Sequence, residues 1–230
     1  KEREEIDELV KELEKELRRL VRENEKLVED NERTLKRLLE ENKRLVEELV
    51  KRLRDGLDRD ELKKVLDDAL DANRKSVRRL EESAEEVLKT NRRSLERAID
   101  LLRRALEEIA DKVDKRDLLE EIERLIRELI RRLERVHEEI ERLIRRSIEE
   151  LRRIHEEVEK LIEDVKRVAD RVDKDEVVEI VIRVLEEILR LSEEALRIHI
   201  RVTREVLRLS KELIDEIRKV LREIADRIRK

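Results

Sequence analysis

Three four-residue segments interrupt an apolar periodicity that otherwise runs through the whole chain, and they are versions of one device. They read Asp55-Gly56-Leu57-Asp58, Asp111-Lys112-Val113-Asp114 and Asp170-Arg171-Val172-Asp173. In each, the closing Asp is a natural N-cap, its carboxylate accepting from the free N–H groups of the helix that follows. Three residues on stands an acid (Glu61, Asp117 or Glu176), which suits the positive helix start and, where it is Glu, makes a capping-box-like pair. The apolar residues around each cap (Leu57 with Leu62, Val113 with Leu118, Val172 with Val177) have the spacing of a hydrophobic staple. Gly56 sits where a left-handed residue closes a helix, and Lys112 and Arg171 hold the equivalent places. The device predicts helices at about 2–54, 59–110, 115–169 and 174–227, each roughly 80 Å long at about 1.5 Å per residue. Loops this short make successive helices antiparallel, so the expected fold class is all-α. It is a straight antiparallel up-down-up-down four-helix bundle, with residues 1–230 as a single domain.

Within each helix the sequence returns after eighteen residues, which is five turns at about 3.6 residues per turn. His137-Glu138-Glu139-Ile140-Glu141 returns as His155-Glu156-Glu157-Val158-Glu159, and Asn73-Arg74-Lys75-Ser76 as Asn91-Arg92-Arg93-Ser94. Asn24 pairs with Asn42, and Leu191-Ser192 with Leu209-Ser210. A repeat of whole turns keeps one seam on one face, so weak supercoiling is expected.

The polar members of these repeats fall on the apolar stripe. Asn24, for example, follows Leu20 and Val21 and precedes Leu27 and Val28 at helical spacing. Counting from the first and third turns, Asn42, Asn73 and His155 reach one level, with Ser76 and Ser192 within a turn of them. Asn24, Asn91 and His137 share a second level with Thr90, Ser94, Thr203 and Ser210. Midway lie Asn31, Thr34, Ser83, Ser147 and His199. A buried amide or imidazole without a partner costs on the order of kcal/mol, so such groups have to be placed together. The expectation is three hydrogen-bond networks separated by Leu, Ile and Val layers. They would fix helix register, because a slipped helix strands them in apolar surroundings. Imidazoles held neutral there have their pKa pushed down by burial.

Composition points the same way. The chain has no Phe, Trp, Tyr, Met, Cys, Pro or Gln and one Gly. Natural selection has no reason to exclude seven residue types at once, whereas a choice of Leu, Ile, Val and Ala for well-defined rotamers does exclude them. In its repeat, its layered Asn, Ser and His positions and its loop device, the whole chain resembles the de novo designed helical bundles with modular buried hydrogen-bond networks. Some of these are single chains and others are heterodimeric hairpins. The resemblance implies a scaffold or association module without catalytic residues.

Other function classes find little support. Charged residues are 54% of the chain, yet both signs intersperse to a net −5, which gives no one-sign field for nucleic acid or anionic lipid. With no aromatic side chain, nothing stacks on bases. No apolar run approaches about 18 residues, so no membrane span is expected, and no signal peptide is read. A soluble synthetic chain, cytoplasmic on recombinant expression, is the expected setting. The di-iron bundles need Glu-x-x-His on two helices. Glu134-Arg135-Val136-His137 matches once, but Arg152 and Leu196 occupy the corresponding places before His155 and His199. No metal, cofactor or catalytic constellation is therefore expected, and the chain reads as no enzyme. Leu38 and Leu80 read as central seam positions.

Helix four is apolar over a wider arc than the others, with Ile180, Leu191, Ile198 and Leu209 on one flank and Ile182 and Ile200 on the other. Two readings stand. One is a self-contained scaffold whose wide arc packs on helices one and three and which requires no partner. The other is an association module, with hairpins 1–111 and 115–230 as complementary halves or a homodimer through helix four. The first half carries all the Asn and the second all the His.

Overall fold

The structure, a computed structural model, describes residues 2–229, and among them the chain forms four helices. They are α1 (Glu2–Asp55), α2 (Arg59–Lys112), α3 (Arg116–Ala169) and α4 (Lys174–Arg229), packed as an all-α four-helix bundle. The caps account for most boundaries. Asp58 Oδ1 accepts from Glu61 N at 2.8 Å, and its carbonyl accepts from Leu62 N at 3.0 Å, so Asp58 starts α2. Asp173 supplies the first carbonyl of α4, accepting from Val177 N at 2.9 Å.

The middle turn departs from this scheme. The first carbonyl of α3 belongs to Lys115, which accepts from Leu119 N at 3.0 Å, so Asp114 lies in the loop rather than at the cap. The cause is the residue at the end of α2. Gly56 is the only described residue with positive φ, at 99°. Lys112 and Arg171 do not take up the left-handed conformation, which costs a residue with a Cβ roughly 1–2 kcal/mol. At Lys112 the helix instead continues right-handed, Val113 N donating to Ile109 O at 3.0 Å, and the loop moves along the chain. At Arg171 it closes with a tighter turn, Arg171 N donating to Val168 O at 2.9 Å.

The chain divides into two compact units, each of which takes a segment from all four helices. The unit of residues 30–85 and 145–202 contains the first and third turns. Its core includes Leu49, Leu53, Leu62, Val65, Val158, Ile162 and Val181. Arg59 ties its two turns together, donating to Asp170 O and Val172 O at 3.3 and 3.1 Å. The unit of residues 1–29, 86–144 and 203–230 contains the middle turn. Its core includes Ile6, Leu17, Leu102, Ile109, Ile122, Ile126 and Ile217.

The wide arc of α4 is largely covered. Ile182 and Leu191 are buried, and Ile180, Ile198 and Ile200 are half-buried against the core of their unit. Among the described residues the one exposed large apolar side chain is Val168, on α3. Leu80 is buried as its seam position requires, but Leu38 is only half-buried.

Candidate functional site: buried polar contacts centred on α2

In the unit of the first and third turns, α2 supplies a partner to each of the other three helices. Asn42 Nδ2 (α1) donates to Ser76 Oγ at 2.6 Å, and Ser76 passes its own proton to Ala72 O at 2.9 Å. Asn73 Nδ2 donates to His155 Nδ1 (α3) at 2.9 Å. Ser83 Oγ lies 3.0 Å from His199 Nε2 (α4). In the other unit Asn91 Nδ2 donates to Val87 O at 3.0 Å, while its Oδ1 lies 3.0 Å from Ser210 Oγ (α4). These contacts are pairs hinged on α2, where the sequence suggested connected networks drawing on all four helices.

The other polar stripe residues divide by how far they turn inward. Asn24, Ser147 and Thr203 are buried, while Asn31, Thr90, Ser94 and Ser192 are half-buried. Ser192 bonds back to Ile188 O at 2.9 Å instead of across the bundle. Three of the buried atoms that the sequence assigns to a middle level, Asn31 Nδ2, Ser147 Oγ and His199 Nδ1, have no hydrogen-bond partner within the protein, and neither does Asn24 Oδ1 in the other unit. Thr34 corrects the expectation outright. It is exposed, and its hydroxyl donates to Asp30 O at 3.0 Å. Leu35, the next residue, takes the inward position, and a Thr displaced from the seam satisfies itself on the preceding turn.

The histidines also differ from one another. His199 is 1% exposed, and burial pushes its pKa down to about 4, opposed only by the charge of Glu32. The complete burial expected of all three does not extend to His137 and His155, which lean toward the surface. Their Nε2 atoms lie 3.2 and 3.0 Å from Glu141 and Glu159 Oε1, one turn further along α3.

Those glutamates belong to a composite contact. Arg74 of α2 donates from Nε to the same Glu159 Oε1 at 3.2 Å, and Arg92 pairs with Glu141 in the other unit. Asn-Arg on α2 thus faces His-x-x-x-Glu on α3 in both units, eighteen residues apart on each helix in opposite directions. Arg74, Arg92, Glu141 and Glu159 were not among the residues expected to take part. The signal was present, because the eighteen-residue repeat copies each of them with its Asn or His.

The unit of the middle turn also holds a cavity of about 40 Å³ whose lining includes Asn24, Asn91, Ser94, His137 and Ser210 beside apolar side chains. Among the described residues no three His, Asp or Glu side chains come together as a metal-ligand set. None of the four helices is long and apolar enough to cross a membrane.

No protein-family model matches the chain, and no curated protein matches it in sequence. Among solved structures it is similar to one described as a "Computationally designed three helix bundle". The two are 18% identical, the match covers 99% of this chain and 91% of that one, and the TM-score is 0.48. Similarity at this level bears on neither fold nor function.

Proposed function

We propose that the chain is a designed structural scaffold, residues 1–230 acting as one bundle domain, in which buried Asn, Ser, Thr and His side chains specify which helices pair. The observation that carries this reading is that α2 places a side-chain hydrogen-bonding group against each of the other three helices. Apolar layers supply affinity without direction, since Leu packs on Leu in many registers. A hydrogen bond between two buried groups distinguishes the right register from a slipped one, because a slip leaves both groups unpartnered. The absence of seven residue types and the repeat of whole helical turns support a designed origin. No cofactor or catalytic role belongs to this reading.

The test is a variant with Asn42, Asn73, Asn91, Ser76, Ser83, His155, His199 and Ser210 replaced by Leu, Val or Ala. The expected product is helical and stable but spread over several oligomeric species in size-exclusion chromatography with light scattering. A single monomeric species with the parent's amide spectrum would overturn the proposal.

One observation favours a second reading, a module of two complementary hairpins, 1–111 and 115–230. The contacts Asn73–His155, Ser83–His199 and Asn91–Ser210 each join the first hairpin to the second. Expressed separately and then mixed, the hairpins should form a one-to-one complex, and stable self-pairing of either hairpin would exclude this reading. Pairing of whole chains through α4 lacks such support, because its apolar flanks are buried or half-buried.

A further inference from the structure

In the unit of the first and third turns, the seam between α2 and α3 carries four ion pairs whose signs alternate. Lys63 faces Asp170 at 3.4 Å, Asp67 faces Lys166, Arg74 faces Glu159 at 3.2 Å and Glu81 faces Arg152 at 3.2 Å. Steps of four, seven and seven residues along α2 match equal steps back from Asp170, which follows α3, to Lys166, Glu159 and Arg152. The four pairs therefore share one register, and α2 reads basic, acidic, basic, acidic along it.

A shift of seven residues is the slip that apolar packing resists least. Leu151, Val158 and Val165 of α3 are buried and seven residues apart, so such a shift puts one apolar side chain where another stood. The charges do not repeat in this way. Shifted one way, Arg74 comes opposite Lys166 and Glu81 opposite Glu159. Shifted the other way, Asp67 comes opposite Glu159 and Arg74 opposite Arg152, while Lys63 and Glu81 meet Glu163 and Arg145. Either shift turns at least two attractions into repulsions. Exposed pairs add little stability one by one, but a register is selected by the difference between attraction and repulsion, summed over several pairs.

Two further observations place the restraint on this seam. The middle turn, which joins α2 to α3, lacks the positive-φ glycine and the Asp cap that fix the first turn. The ion pairs between α1 and α4 do not alternate in the other unit, where Asp7, Glu14 and Glu25 face Arg229, Arg222 and Lys211. A shift of seven there can set Glu14 against Arg229 and Glu25 against Arg218, still opposite in sign.

We infer that the alternating seam determines the register of α2 against α3, with Asp67, Arg74 and Glu81 as the residues that reject a shift of seven. The inference goes beyond the scaffold reading and does not rest on it, since every variant below keeps the buried side chains.

Spin-label distances in the full chain test it. The chain has no cysteine, so Asp68→Cys and Arg146→Cys, both at exposed positions, take one nitroxide each. The parent so labelled should give one distance. Reversing the α2 signs with Asp67→Lys, Arg74→Glu and Glu81→Lys should add a second, displaced by up to about 10 Å, the length of seven residues at about 1.5 Å each. Lys166→Glu and Arg152→Glu, added on α3, should restore the single distance. Salt at about 1 M should also diminish the second distance, because charges are then screened beyond about 3 Å. A reversed variant that keeps the parent's single distance overturns the inference, as does a second distance that neither the α3 changes nor salt diminishes. If the reversed variant loses its helicity, denaturation midpoints decide. Glu81→Lys and Arg152→Glu should each lower the midpoint and together recover it, and absence of recovery overturns the inference.

Discussion

Asn73 Nδ2 lies 2.9 Å from His155 Nδ1, and the far nitrogen of the same ring lies 3.0 Å from Glu159 Oε1. One neutral tautomer therefore satisfies the imidazole, with Nδ1 accepting from α2 and Nε2–H donating along α3. Replacing either partner alone by Leu leaves the other without its bond, at a cost of about 1–2 kcal/mol. Replacing both removes the mismatch together with the bond. In guanidinium denaturation, Asn73→Leu and His155→Leu should each lower stability, and the double variant should lose less than the sum by at least about 0.5 kcal/mol. Strict additivity would show that the contact contributes nothing to pairing.

Burial ranks the apolar positions. Leu80 is 4% exposed within its core, and truncation to Ala should cost roughly 2–5 kcal/mol. Leu38 is half-buried, so Leu38→Ala should cost clearly less. Arg79, exposed beside Leu80, should tolerate Ala within about 0.5 kcal/mol. Denaturation midpoints measured on the three variants check the order. Equal losses would mean that helix packing does not discriminate inward from outward positions.

The helix count was legible because its signals are local: an apolar stripe of helical period and an Asp that caps the helix after it. What the sequence hid depends on neighbours. The middle turn slid along the chain because Lys112, unlike Gly56, continues the helix. Thr34 was misplaced around the helix, since counting along the axis says nothing of direction and Leu35 claims the inward one. His137 and His155 lie on the stripe as read, yet the glutamates one turn later draw their rings outward. Hydrogen-bond direction was the least legible feature. Nothing in the repeat distinguishes Asn73, which reaches His155, from Asn91, which bonds Val87 O and lies against Ser210.

Gly56 offers a test of backbone conformation alone. Its φ is 99°, and an added Cβ would meet no atom within 4 Å. Any loss in Gly56→Ala is therefore conformational rather than steric against neighbours, about 1 kcal/mol. Asn, which tolerates the left-handed region, should recover part of it. Thermal or chemical denaturation of the two variants decides this. An Ala variant as stable as the parent would show that the turn rearranges to a right-handed closure like the one at Arg171.

The last prediction concerns acid. His199 is buried against Ser83, and desolvation holds its pKa at about 4, with Glu32 pulling weakly the other way. In the unfolded chain the same ring titrates near about 6.5. Between those values the unfolded state binds a proton that the folded state resists. The stability contributed by neutral His199 is therefore full above about pH 6.5, declines as pH falls, and levels off below about pH 4. From pH 7.5 to 4.5 the loss is about 2–3 kcal/mol, at about 1.4 kcal/mol per pKa unit. Guanidinium denaturation of the parent and of His199→Asn at both pH values isolates this contribution from surface carboxylates, which both proteins share. The parent should lose more than the variant by roughly that amount. Equal losses would show that His199 is protonated in the folded state, with its charge compensated by Glu32.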